Sequence, residues 1–225
     1  MQYRIIPTAD GSRTLYLPQI DEQYHSLNGA VTESVHVFID KGYIFQSERE
    51  AIVFEVGLGT GLNCLLTAIR AEELKRPTTY YSLEACPLPC EIIIQLNYGS
   101  LESGKYAGVY SKIHESPWGQ FVNLSPWFRL YKIKADLTRD GWQPPGCCNI
   151  IYFDAFGPGK QPDMWSPAIF SAIYDITLPG GVFVTYSARG EVRRSLSSAG
   201  FSMERLPGPP GKKEMLRGIK VKSIS

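Results

Sequence analysis

The stretch Ile52–Leu65, read with its neighbours as AIVFEVGLGTGLNCLL, constrains this chain more than any other. The apolar residues around Val53 and Phe54 read as a buried parallel strand closed by Glu55, and Gly57, Gly59 and Gly61 turn it tightly into an amphipathic helix. Glycine permits the backbone angles of such a turn and leaves no side chain between the main chain and a ligand lying across it. Glycine-rich turns also join strands to helices without binding anything. Glu84 adds weight, because it stands at the tip of a second strand, Thr79–Leu83. A carboxylate roughly twenty residues past the glycines is what a nucleotide-binding α/β fold uses to hold ribose hydroxyls. No Lys-Ser/Thr pair follows the glycines, which argues against a phosphate-gripping P-loop.

A chain of 225 residues, 44% hydrophobic and 20% charged, is expected to be one globular domain with or without an extension. Its net charge of +1 is unevenly spread: nine Lys/Arg against three Asp/Glu from Arg189 onward give +6 there, against −5 before it. That asymmetry is compatible with a polyanion approaching one face, but on charge alone a solvated C-terminal surface is the preferred account. Five cysteines without zinc-site spacing read as reduced thiols in a cytoplasmic protein, and no metal is expected. The N-terminus lacks an apolar signal core, and no run approaches membrane-spanning length.

In chain order, Tyr3–Ile6 and Thr14–Leu17 form an expected hairpin around Asp10-Gly11, and an amphipathic helix carrying Val35, Phe38 and Ile39 follows. Residues 1–50 are therefore assigned as a hairpin and helical extension packed on a core of residues 51–225. Tyr24, Ser26 and Glu33 are either capping groups or the rim of a ligand pocket. Beyond Glu84, Pro89–Leu96 reads as a crossover helix and 98–127 as an irregular insertion carrying short helical pieces. Phe128–Ile133, Asn149–Phe153 and Val182–Thr185 read as further strands, with helices at Asp163–Ile176 and Glu191–Ala199. Phe201–Leu206 and Glu214–Ile219 close the pattern as an antiparallel edge hairpin across PGPPGKK. Strands alternating with helices imply a mostly parallel, seven-stranded α/β sheet covered on both faces, with ligands outside the carboxyl ends of the strands. Glu55, Glu84, Asp136 and Asp154 are acids at four successive strand ends, and Asp136 is suited to an adenine amine.

This order resembles the Rossmann-like class I S-adenosylmethionine-dependent methyltransferases. The segments YHSLNGAVTESVHVFI, FEVGLGTGLN, DAFGPGKQPDMWS, LPGGVFVTYSARGEVRRSLSSAGF and GPPGKKEMLRG are similar to the methyltransferase domain of MnmC-type tRNA modification enzymes. The similarity runs from about Tyr24 to Ile219 and is weakest over Tyr98–Trp127. It implies S-adenosyl-L-methionine as cofactor, bound by Glu55, Gly57, Gly59, Gly61, Asn63, Glu84, Asp136 and Leu137. It also implies methylation of a 5-aminomethyl group, with or without 2-thio substitution, on the wobble uridine of tRNA. Two-domain members carry a flavin-dependent half that prepares this amine, and here a separate flavin-dependent partner or a different pathway is expected to supply it.

Methyl transfer to an amine needs an unprotonated lone pair, whereas an amine near neutral pH is mostly ammonium. Asp154, at the end of the strand facing the sulfonium in this fold, is the candidate catalytic residue that holds the ammonium and drains its proton; the alternative is a turn cap or a cofactor ligand. Phe156, Trp165 and Tyr186 are candidates for stacking the flipped base, or they are core. Arg189, Arg193, Arg194, Lys212, Lys213 and Arg217 are candidates for phosphate contact. An aminopropyltransferase, a small-molecule N-methyltransferase and a non-catalytic cofactor- and RNA-binding protein are the competing readings.

Overall fold

The computed structural model describes residues 2–139 and 146–222. Its centre is an eight-stranded sheet in the spatial order β10-β11-β9-β8-β4-β5-β7-β6. The strands are β4 (Ala51–Val56), β5 (Thr78–Glu84), β6 (Phe121–Ser125), β7 (Phe128–Lys134), β8 (Cys148–Phe153), β9 (Thr177–Thr185), β10 (Ser202–Pro207) and β11 (Glu214–Ile219). The five in the middle run parallel, and β6, β10 and β11 are antiparallel to their neighbours. A small three-stranded sheet, β1 (Arg4–Pro7), β2 (Arg13–Leu17) and β3 (Glu22–Gln23), precedes them.

Pleating divides the sheet residues between two cores. Val53, Tyr80, Ile150 and Tyr152 pack with α2 (Leu62–Leu74), α4 (Ala107–Glu115) and the helix that begins as α1 (Ala30–Ser34) and widens to a π-type helix over Val35–Ile44. Phe54, Ile151, Phe153 and Phe183 pack on the other face with α5 (Pro167–Ile176) and α6 (Gly190–Ala199). Gly42 lets the π-type helix lie on the sheet: a Cβ there would meet Val184 at 3.0 Å and Tyr152 at 3.1 Å. Helix α2 buries Leu62, Leu65 and Ile69 at helical spacing, the stripe its sequence displays. Among the described residues, no helix is long and apolar enough to cross a membrane.

Three expectations need correction. The sheet has eight strands rather than seven, because β6 pairs along β7 at the edge. The segment 98–127 does hold the short helical pieces expected of it, a 3-10 turn (Asn97–Gly104) and α4, but it adds the strand β6 and is more regular than its sequence reads. Its Tyr98, Tyr110 and Ile113 are buried, so what reads as scattered aromatics in a polar sequence is a helix face anchored to the core. The crossover helix expected over Pro89–Leu96 shrinks to α3 (Cys90–Ile93).

The chain leaves β4 for β5 and β7 on one side, then returns to place β8 and β9 on the other. The switch point lies between β4 and β8, where open α/β sheets bind ligands.

Candidate active site

At that switch point a cavity of about 580 Å³ opens above the carboxyl ends of β4, β5 and β8. Its size is that of a site for a nucleotide-sized ligand. The turn after β4 forms its floor, and the turn's geometry explains its glycines. Gly57 has φ +92°, and a Cβ there would stand 2.9 Å from the backbone oxygen of Asp154. Gly59 has φ +50°, and its Cβ would press on the Tyr24 ring at 3.1 Å. Main chain on one side and a ring on the other thus leave room for hydrogen only. Gly61 begins α2 in the left-handed region but does not line the cavity, so its expected cofactor contact is corrected to a structural turn beside His114.

Glu84 ends β5 and closes the turn. One carboxylate oxygen accepts the Gly59 N–H at 2.9 Å and the other the Cys86 N–H at 2.8 Å. Asp136 and Leu137 line the cavity next to it. Asp136 accepts the backbone N–H of Thr138 at 2.9 Å and its hydroxyl at 2.6 Å, which hold its carboxyl below the usual range.

Asp154 follows β8 and sits partly buried on the opposite wall. The Asn63 amide donates to its Oδ2 at 2.8 Å. Burial pushes this carboxyl up to about 7, and the Glu33 charge adds to the effect, while Asn63 and Lys212 oppose it. A carboxyl poised near neutrality can exchange a proton with an amine.

A third wall comes from distant parts of the chain. Glu33, almost buried, accepts the Ser26 N–H at 2.8 Å and the Lys212 ammonium at 2.5 Å. Lys212 also lies 4.1 Å from the centre of the Tyr186 ring, whose hydroxyl donates to the Ala155 carbonyl at 2.9 Å. Phe156 stands edge-on to Tyr24 at 5.0 Å. Tyr24, Ser26, Glu33, Phe156, Tyr186 and Lys212 all line the cavity.

Other expected site residues lie elsewhere. Glu55 does not reach the cavity: β4 continues to Val56, and Glu55 points with Val53 into the helical layer, where Ser82 donates to it at 2.6 Å. Burial pushes its carboxyl up to about 8, and the Asp154 charge adds to that. Trp165 is core, packed edge-on beneath the floor against Phe153 and Phe170, with its indole N–H on the Phe156 carbonyl; Met164 lines the cavity instead. Arg217 is covered and paired with Glu204 at 2.7 Å, which removes it from the phosphate candidates. Arg189, Arg193, Arg194 and Lys213 are exposed outside the cavity, with Arg189 3.4 Å from Glu191.

Sequence reasoning missed a clamp on the glycine turn. His25 bonds the Thr60 hydroxyl at 2.7 Å, while Tyr110 and His114 both reach the Thr60 carbonyl, at 3.1 and 3.2 Å. Burial drives both histidines down to about 4, so they are neutral braces at pH 7. Tyr110 and His114 stand one turn apart on α4, but nothing local announces that they meet His25 and Thr60, which come from distant segments.

Residues 133–221 match the S-adenosyl-L-methionine-dependent methyltransferase family. The chain is 30% identical over 215 residues to the tRNA 5-methylaminomethyl-2-thiouridine biosynthesis bifunctional protein MnmC of Cupriavidus necator, covering 89% of this chain and 32% of that protein. Its Pseudomonas entomophila counterpart is 26% identical, with 89% and 33% covered. The chain thus spans about a third of the length of these relatives. Among solved structures, MnmC2 from Aquifex aeolicus superposes with a TM-score of 0.79 at 23% identity, covering all of this chain and 73% of that one. Spermidine synthase from Thermotoga maritima superposes with a TM-score of 0.55 at 14% identity, covering 99% and 74%. These likenesses establish the class I methyltransferase fold.

Proposed function

We infer, from a chain that has the class I methyltransferase fold and resembles the MnmC proteins along 89% of its length, that it methylates the amine of a 5-aminomethyluridine, with or without a 2-thio group, at the tRNA wobble position. The observation that carries this reading is Asp154: a partly buried carboxyl near neutrality, bonded to Asn63 and facing the cavity across from Glu84.

The cavity fits S-adenosyl-L-methionine. Gly57 and Gly59 form a cradle that a Cβ would fill, Glu84 is placed for ribose hydroxyls, and Asp136 and Leu137 are placed for the adenine. Bound there, the cofactor supplies a sulfonium methyl group that an amine nitrogen can attack in line. Asp154 holds the incoming ammonium, accepts its proton and leaves the lone pair directed along the cavity. Fixing the two reactants is worth up to about 7–11 kcal/mol, and proton removal adds about 10²–10⁴-fold in rate, so positioning contributes more than proton removal.

Phe156, Tyr24 and Tyr186 offer ring faces and edges for an unstacked base, as expected for a nucleoside read in a single-stranded loop. Arg189, Arg193, Arg194 and Lys213 form the exposed basic surface for the RNA backbone. A separate flavin-dependent enzyme would supply the aminomethyl nucleoside, and the cytoplasm, where tRNA and reduced thiols coexist, is the compartment this activity requires.

The direct test incubates the protein with labelled S-adenosyl-L-methionine and tRNA that carries the unmethylated aminomethyl nucleoside, followed by nucleoside analysis. Label in methylaminomethyluridine is the expected result. Aminopropyl transfer from the decarboxylated donor, or cofactor binding without labelled tRNA, would replace this reading with one of its competitors.

A further inference from the structure

Lys212 reaches the cavity from the loop between β10 and β11, and that loop is held in place from both sides. It is tied back on itself, with the Gly208 N–H on the Lys213 carbonyl at 3.0 Å and the Lys212 N–H on the Pro209 carbonyl at 2.9 Å. It is also docked on the N-terminal segments. His36 Nε2 donates to the Pro207 carbonyl at 2.8 Å, and Gly211, at φ +84°, lies so close to Asn28 that a Cβ would run into its amide. The Lys212 ammonium donates to the almost buried Glu33 at 2.5 Å and lies over the Tyr186 ring at 4.1 Å. Among the described residues Glu33 is its one hydrogen-bond acceptor. An ammonium carries three N–H donors and no acceptor, so donors remain for a group inside the cavity.

Tyr186 links this position to the reacting end of the site. Its ring faces Lys212, and its hydroxyl donates to the carbonyl of Ala155, the residue after Asp154. Lys212 and Asp154 thus flank one tyrosine on the wall of one cavity. A 5-aminomethyl pyrimidine whose amine is held at Asp154 carries its C4 substituent beside that amine, because C4 and C5 are adjacent ring atoms. A group that can only donate suits a C4 carbonyl and is mismatched to a C4 amine. We propose that Lys212 is a specificity-determining residue that donates to the C4 carbonyl of the acceptor base, so that the site takes a uracil and refuses a cytosine. C2 lies across the ring from C5, out of reach of the same ammonium, so a 2-thio group goes unread. An RNA phosphate is the poorer partner, because this ammonium lines the cavity and already shares the charge of Glu33, whereas Arg193 and Lys213 are exposed outside it.

Lys212 can read the base only if the site methylates an aminomethyl pyrimidine, as proposed above, and the experiment keeps the two apart. Two RNA hairpins that differ in one loop nucleotide, 5-aminomethyluridine or 5-aminomethylcytidine, are methylated with labelled S-adenosyl-L-methionine, and kcat/KM is compared. The wild type should prefer the uridine by about 10- to 100-fold, the effect of one charge-assisted hydrogen bond set against a mismatched donor. Lys212→Met should bring the two within about threefold, chiefly by losing the uridine reaction, and should bind the cofactor as before in calorimetry. Each ratio is taken within one protein, so a general loss of activity cancels. Should Lys212→Met not fold, the Glu33→Gln/Lys212→Met double variant removes the unpaired carboxylate and carries the same expectation. Equal wild-type rates on both RNAs, a uridine preference that survives in the variants, or cofactor affinity lost with the lysine would each overturn the role of Lys212 and leave methyl transfer standing. Transfer to neither RNA would overturn the methyltransferase reading itself, and the role of Lys212 with it.

Discussion

The Lys212 ammonium lies 2.5 Å from the Glu33 carboxylate, joining the loop between β10 and β11 to helix α1. One partner is a third exposed and the other almost buried, so the pair is a latch on the cavity wall rather than a free surface bridge. Lys212→Met would leave Glu33 with the Ser26 N–H but without its cation. Its expected cost is about 1–3 kcal/mol in urea unfolding, part of which Glu33→Gln restores in the double variant. Because Lys212 lowers and Glu33 raises the Asp154 carboxyl, Lys212→Met should also move the acid limb of activity to higher pH and Glu33→Gln to lower pH.

Asp154→Asn should lower turnover about 10²–10⁴-fold while leaving S-adenosyl-L-methionine affinity nearly intact, as calorimetry can check. A proton acceptor must be ionised to work. Wild-type activity should therefore rise with pH through about 7, and the variant should lose that limb.

Gly57→Ala puts a methyl group against the Asp154 backbone at a φ that side chains rarely adopt. Neither contact is with a flexible group, so the expected cost is about 2–4 kcal/mol in thermal or urea unfolding. The strain falls on the backbone of Asp154 itself, so turnover should drop even where the fold survives.

Glu55→Gln should separate from the wild type as pH rises. The carboxyl is raised from 4.5 to about 8, so its contribution to stability is complete below 4.5 and is lost as pH climbs through about 8. The two proteins should differ little near pH 4, and the variant should be the more stable by up to about 5 kcal/mol at pH 9. His25 and His114, lowered from 6.5 to about 4, act in the opposite sense: their contribution is complete above 6.5 and lost as pH falls through about 4. Subtracting the Glu55→Gln curve isolates the carboxyl.

Reversing charge at Arg193 and Lys213 should weaken tRNA binding while leaving cofactor binding alone, since both lie outside the cavity. Each lost phosphate contact should lower the slope of log affinity against log salt by about 1. Filter binding over a salt series measures it.

The glycine turn, the flanking strands and the acid at the tip of β5 are legible because each is a local pattern. Alternation or an unbroken apolar run defines a strand, and a φ that only glycine adopts comfortably defines the turn. Glu55 misleads because the residue closing an apolar run reads as its exposed end; β4 runs one residue further, and pleating turns Glu55 inward. Trp165 and Phe156 are indistinguishable in sequence as aromatics near a strand end. Only the course of the chain after β8 puts one under the floor and the other in the wall.

The sequence by itself determined the order of elements, the turn that leaves main chain bare and the kind of chemistry an acid beside it can do. Tertiary structure alone decided which acids meet. Glu33 and Lys212 are 179 positions apart and Asn63 and Asp154 are 91 apart. Contacts of that separation leave no periodic trace, because they depend on how the strands are ordered across the sheet rather than on spacing along the chain.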